Sequence, residues 1–226
     1  LIPLAFLAVF FFYPLLSILG VSLLPEGQPD LSGFARLATS DYYRDTLWFT
    51  VWQAVLSTGL TLALAIPGAY VFVRYDFPGK SLFLSLATLP FVLPTVVVAT
   101  AFTALIGPRG LLNNLLVAAL GLDAPPIQLD RTLTIILIVH VFYNYAVALR
   151  MITGFWANVN PRMEEAARVS GAGKFRLLTS VILPLQRPAL LAALLLVVIM
   201  SAGDFIIPST VGLKARIYML PSLIWQ

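Results

Sequence analysis

Three stretches of this chain, residues 1–24, 46–73 and 81–108, carry no charged side chain over 24, 28 and 28 residues. A helix rises about 1.5 Å per residue, so roughly 20 apolar residues cross the hydrocarbon of a bilayer. Inside lipid every backbone N–H and C=O needs a partner in the protein, and a helix supplies one locally. Two more stretches qualify: residues 132–149, and residues 188–213, which a single acid, Asp204, interrupts. The fold class that follows is an all-α, polytopic transmembrane helix bundle of about five spans. A sixth begins in the apolar residues 217–226 and is expected to be cut short there. With 60% hydrophobic and 11% charged residues, a water-soluble domain is excluded.

The first stretch exceeds the 7–15 apolar residues of a signal-peptide core and no clear cleavage site follows, so it reads as a retained span that Pro14 kinks. Residues 26–45 are polar and belong in water. The turn 74–80, Arg-Tyr-Asp-Phe-Pro-Gly-Lys, joins two antiparallel spans, in which Pro67, Pro90 and Pro94 mark bends. Residues 109–131 return to solvent, and the apolar piece 111–122 is too short to cross. Gathering turn 74–80 and segment 150–187 on one side gives that side eight basic and three acidic residues, against six and six on the other. The positive side is assigned to the cytoplasm, which puts the amino end there and Gln226 outside. The chain is read as one transmembrane domain, 1–226, with no internal repeat.

Zero cysteines and one histidine leave no thiolate site and little for a metal cluster. The spans offer no nucleophile–base pair, so no catalytic residue is assigned. Fourteen basic residues scattered through apolar sequence form no contiguous face for nucleic acid. No GxxxxGK[ST] phosphate loop is present.

Segment 150–187 is the longest region rich in charge. Asn160 is placed to cap a short helix, Pro161 suits its first turn, and Glu164 and Glu165 lie where the helix dipole favours anions. Gly171 ends it with a left-handed turn. A second helix runs from about Lys174 to Val181, and Leu183-Pro184 stops it. Two helices joined at a glycine make a rigid knob. Ala166 and Ala167 allow another backbone to approach, and Glu165 offers a charge to a partner arginine. A plain solvated loop would instead use Glu164 and Arg168, four apart, as a surface pair.

Glu165-Ala166-Ala167, three residues, Gly171, nine residues, then Val181-Ile182-Leu183-Pro184 resembles the EAA loop of permease subunits in binding-protein-dependent ABC importers. Val181 stands where that motif usually has Ile. Trp48-Phe-Thr-Val-Trp-Gln53, Phe77-Pro-Gly79 and His140-Val-Phe-Tyr-Asn144 are similar to the thiamine and iron(III) branch. The resemblance implies that Glu165, Ala166, Ala167, Gly171, Val181, Leu183 and Pro184, within a loop of about residues 154–187, couple to an ATPase. It implies further partners: ABC ATPase subunits that bind the ATP and Mg this chain does not, an external solute-binding protein, and a second transmembrane half, fused, separate or a copy of this chain. It also implies a bacterial or archaeal cytoplasmic membrane.

Within the spans, Asp204, His140 and Asn144 are candidate substrate-pathway residues. A carboxylate in hydrocarbon is costly and should face a cavity or partner, unless Asp204 lies near the outer surface. His140 and Asn144, four apart, share a helix face, and a structural role is open for both. Gln53, Ser57 and Thr61 share a face of the second span, where such groups bond across helices. The alternative function is an ATPase-independent secondary transporter or channel, which would be expected to show paired intramembrane charges or a repeat.

Overall fold

The structure, a computed structural model, describes residues 2–24, 28–30, 32, 35, 39–129 and 132–212. Every regular element among them is helical. The expected sixth span, with Lys214 and Arg216, falls outside the described residues. The chain divides into two compact units, Leu1–Leu47 and Trp48–Gln226. In chain order the helices are α1 (Ile2–Leu23), α2 (Asp41–Arg74), α3 (Lys80–Phe91), α4 (Thr95–Ile106), α5 (Leu111–Leu120), α6 (Leu133–Trp156) and α7 (Pro161–Val169). Helix α8 opens at Lys174–Leu177 and continues through Leu178–Ile182 to Leu183–Leu185; α9 is Arg187–Gly203. Ile2–Leu23, Asp41–Arg74, Thr95–Leu120 and Leu133–Trp156 are long and apolar enough to cross a membrane, and α8 with α9 makes a fifth crossing if that bent pair counts as one span.

Two prolines expected to kink or stop helices each follow a wider turn. The π turns Ala8–Phe12 and Leu178–Ile182 precede Pro14 and Pro184. In each, the residue before the proline, Tyr13 or Leu183, donates its N–H five residues back, to Ala8 or Leu178. Widening the turn relieves the clash of the proline ring with the carbonyl four residues earlier. Leu183-Pro184 therefore does not end α8. The chain turns at Gln186, where α8 and α9 bend by 69°.

The expected single span 81–108 is broken. Pro90 sits in a 3-10 turn, Leu89–Phe91, and Pro94 is extended (φ −57°, ψ 137°), so α3 and α4 are separate helices. Both prolines lack the N–H that would carry the ladder across, which turns the expected bend into a break. The apolar piece after residue 110 forms the ten-residue α5, and α4 with α5, not α3 with α4, has spanning length. Asn113, buried in α5, fixes the chain that follows: its Nδ2 donates to Gly107 O (2.9 Å) and Ile127 O (2.8 Å), and its Oδ1 accepts from Ile127 N (2.8 Å).

Helix α6 is the hub of its unit, packing against α3, α4, α9 and the π turn Pro208–Gly212. It outruns the expected end at residue 149 because the helix passes Arg150, which is exposed, and stops only at Trp156. Small residues set its approach to α2: Ala65, Ala69 and Ala148 are fully buried together with Leu149 and Ile152. Without a hydrophobic driving force between helices in lipid, such close backbone packing supplies the attraction. Gly68 belongs to the same contact, since a Cβ there would collide with the Tyr145 hydroxyl. A second cluster, including Val98, Ile136, Val139 and Ile207, ties α4 to α6 and to the chain beyond α9. In the 74–80 turn, Lys80 Nζ donates to Asp76 Oδ1 at 2.8 Å, and this bond and the lysine charge hold the Asp76 carboxyl below its usual range.

Candidate functional site

Two polar constellations stand out from the apolar bundle. The first lies toward the end of α9 remote from segment 150–187. Helix α9 ends at Gly203 because Asp204 turns extended (φ −73°, ψ 124°). Its freed carboxylate accepts from Ile206 N (3.0 Å) and Ile207 N (3.3 Å), restarting the helical turns that follow. Asp204 Oδ2 also lies 3.0 Å from His140 Nε2. With the carboxylate accepting, Nε2 carries a proton, and Nδ1 is buried and without a hydrogen-bond partner. Seventeen residues of α9 separate Asp204 from Arg187, about 25 Å along a helix axis. The pair thus lies at the end of α9 farther from the loop.

Beside it, Asn144 Nδ2 donates to Ser201 Oγ (2.9 Å), Ser201 Oγ lies 3.5 Å from Ser57 Oγ, and Gln53 Nε2 donates to Ser201 O (2.9 Å). His140, Asn144, Gln53, Ser57, Thr61 and Ser201 are all buried. Gln53 Oε1 and Thr61 Oγ1 are buried without a partner, so the network holds unused acceptor capacity. It joins α2, α6 and α9 through groups that are costly to leave unpaired in lipid. The structure brings together the three candidate pathway residues His140, Asn144 and Asp204. Ser201 and its link to Gln53 escaped the sequence reading, although Ser201 and Asp204, three apart, repeat the one-face spacing of His140 and Asn144. Among the described residues no three His, Cys, Asp or Glu side chains converge to hold a metal.

The second constellation is the knob. Asn160 Oδ1 accepts from Arg162 N (3.0 Å) and caps α7 as expected. Gly171 (φ +84°) closes it in a Schellman arrangement: Ala172 N donates to Ala167 O (3.0 Å) and Gly171 N to Arg168 O (2.9 Å). The motif divides between two surroundings. Glu165, Ala166 and Gly171 are exposed, whereas Ala167, Val181, Leu183 and Pro184 are half-buried. Ala167 and Val181 pack against the core cluster that holds buried Leu177 and Ile182. The later part of the motif anchors the knob while the earlier part is presented outward. Around the presented part stand Val169, 90% exposed, Phe175, 79% exposed, and Met163.

Glu164 differs from the expectation of a surface pair with Arg168. It is buried (7% exposed) and its Oε2 lies 2.7 Å from Nη1 of Arg74, the last residue of α2. The partner across the fold displaces the local one because α7 docks against the end of α2 and takes Glu164 out of water. This ion pair also puts turn 74–80 and segment 150–187 on the same side of the bundle, as the count of basic residues assumed.

Residues 57–225 match the model of the family described as the binding-protein-dependent transport system inner membrane component. The chain belongs to this family. Among relatives, a putative 2-aminoethylphosphonate transport system permease protein, PhnU, of Salmonella typhimurium is 27% identical over 227 residues, covering 100% of this chain and 79% of the relative. The thiamine transport system permease protein ThiP of Brucella abortus is 30% identical over 203 residues, covering 86% of this chain and 36% of ThiP. A bacterial alginate ABC transporter, crystallised with an alginate-bound periplasmic protein, shares the fold with a TM-score of 0.70 at 19% identity, over 88% of this chain and 70% of that one. The chain is thus a permease subunit of an ABC importer and a multi-pass inner-membrane protein, as the EAA-like loop implied. Family membership removes the ATPase-independent secondary transporter from consideration.

Proposed function

We propose that this permease couples to a separate ABC ATPase through α7 and the start of α8, and that a second transmembrane half completes the pathway. The observation that carries the reading is the knob: a capped, Schellman-closed helix that exposes Glu165, Ala166 and Gly171 amid bare Val169, Phe175 and Met163. An apolar side chain nine-tenths exposed beside a charge suits a protein groove better than water. Val181, Leu183 and Pro184 act from behind, holding the knob to α6 and α9. ATP and Mg bind the partner; the nucleotide-driven movement of that partner shifts the spans as rigid bodies between inward- and outward-facing states. The knob faces the cytoplasm and so does the amino end, in keeping with the excess of basic residues on that side.

A solute-binding protein delivers the cargo from outside. His140, Asn144 and Asp204 stand near that outer end, and the cargo is proposed to be a small solute with a cationic centre. The names of both relatives support this, since thiamine and an aminoethyl group each bear a positively charged nitrogen, and Asp204 offers the carboxylate; iron(III) remains within the same charge class.

The test is purification of the tagged permease from its native membranes after mild cross-linking, with the partners identified by mass spectrometry and thiamine and 2-aminoethylphosphonate uptake measured in a deletion strain. An ABC ATPase and a second permease half, or a second copy, are expected. Recovery of the intact permease with no ATPase would contradict the reading.

A further inference from the structure

We infer that the Arg74–Glu164 ion pair is the strut that carries motion of the knob into the membrane, which makes both side chains positioning residues for transport. The inference rests on the coupling role proposed above and adds the route by which the spans receive the movement. Arg74 is the last residue of α2, a helix of 34 residues, and Glu164 stands in the first turn of α7. Each charge complements its own helix dipole, the cation at a C-terminus and the anion at an N-terminus. The 2.7 Å contact therefore locks two helix ends together in an arrangement that both dipoles favour.

Glu164 adjoins Glu165 in sequence, yet the two face opposite ways: Glu165 is exposed on the presented side and Glu164 is buried against α2. One turn of α7 thus has an outward face for a partner and an inward charge for the bundle. Arg74 is one-third exposed and Glu164 nearly covered, so water screens the pair only from the arginine side. The other attachments of the knob are apolar contacts of Leu177 and Ile182 with α6 and α9, which are able to slide; the ion pair adds an attraction between opposite charges at two helix ends, although Glu164 Oε2 makes no hydrogen bond of good geometry. Helix α2 also carries Gln53 and Ser57, so a push on Arg74 acts on the same continuous helix that holds the outer polar network. Pro67 is the one proline within that helix, and it lies on the loop side of both.

These 226 residues contain no cysteine, so nitroxides placed among them meet no background from this segment, and the partner subunits are used in cysteine-free form. In the assembled importer in lipid nanodiscs, one label pair, Tyr75→Cys with Arg162→Cys, the latter exposed and outside the apolar patch, reports the knob against the end of α2. A second pair, Trp52→Cys with Leu195→Cys, reports α2 against α9. All four positions are exposed. With native charges, the first distance is narrow and the second shifts when ATP and vanadate are trapped. Glu164→Gln is expected to keep the ATPase bound and hydrolysing within twofold, to broaden the first distance, and to remove most of the second shift. The double exchange Arg74→Glu with Glu164→Arg is expected to restore both in part, since the pair is remade but each charge now opposes its helix dipole. A full ATP-dependent shift in Glu164→Gln overturns the strut, as does loss of the ATPase from that variant, which would place Glu164 in the docking surface. An unmutated importer with no ATP-dependent shift contradicts the coupling reading itself, and the strut with it.

Discussion

His140 and Asp204 are 64 positions apart in sequence and 3.0 Å apart in space, where their side chains join the first third of α6 to the break that ends α9. The carboxylate serves two purposes at once, capping Ile206 and Ile207 and holding the imidazole. Asp204→Ala removes the acceptor from all three donors and is expected to cost about 3 kcal/mol. Asp204→Asn keeps one capping oxygen and is expected to cost about 1 kcal/mol while weakening uptake with the ATPase still bound. Thermal unfolding of the purified permease in detergent ranks the two; equal midpoints for native chain and Ala variant would disprove the capping role.

Close approach of α2 and α6 depends on the absence of a side chain at Gly68. Adding a methyl group by Gly68→Ala meets the Tyr145 hydroxyl and is expected to destabilise by about 1–3 kcal/mol. Tyr145→Phe removes the colliding oxygen, so the double variant should recover most of the loss. Denaturation of the four proteins of this cycle gives the coupling directly, and additive effects would show that the helices approach differently.

Gly171 matters through its backbone. A Cβ at this position would meet nothing within 4 Å, yet its φ of +84° disfavours any L side chain. Gly171→Val is expected to cost about 1–2 kcal/mol locally and to lose the ATPase, because the angle between α7 and α8 changes. Gly171→Asn tolerates the left-handed region better and should retain more than half the ATPase in co-purification. Equal losses for Val and Asn would point to contact rather than conformation.

The charge-free stretches and the caps were readable because each depends on neighbours in sequence. Thus α1, α2, the core of α6, Asn160 and Gly171 stand where the pattern put them. The prolines were harder. Whether Pro14 and Pro184 kink a helix or are taken up by a π turn, and whether Pro90 with Pro94 bends or breaks one, depends on packing that no local pattern encodes. Pairings across the fold were invisible for a related reason. Arg74 entered only as a basic residue to be counted, and Glu164 has an obvious local partner in Arg168; choosing between them requires the seat of α7 against α2. Likewise His140 and Asp204 were each singled out, but only the register of α6 against α9 makes them a pair.

Asn113 is expected to govern the chain after α5. Asn113→Ala frees Gly107 O and both polar groups of Ile127, a loss of about 2–3 kcal/mol, and should open residues 121–129 to limited proteolysis well before the bundle unfolds. Unchanged cleavage rates would show that the segment is held by other contacts.

The central claim, that the exposed face of α7 meets an ATPase, is tested most directly by cross-linking from Val169→Cys in the otherwise cysteine-free chain. In native membranes a short photoactivatable thiol reagent at this position should give one adduct with the ABC ATPase subunit, weakened at least tenfold by Glu165→Lys, while the same reagent at Leu195→Cys on α9 gives none. Efficient labelling at Val169→Cys with no ATPase adduct would contradict the claim.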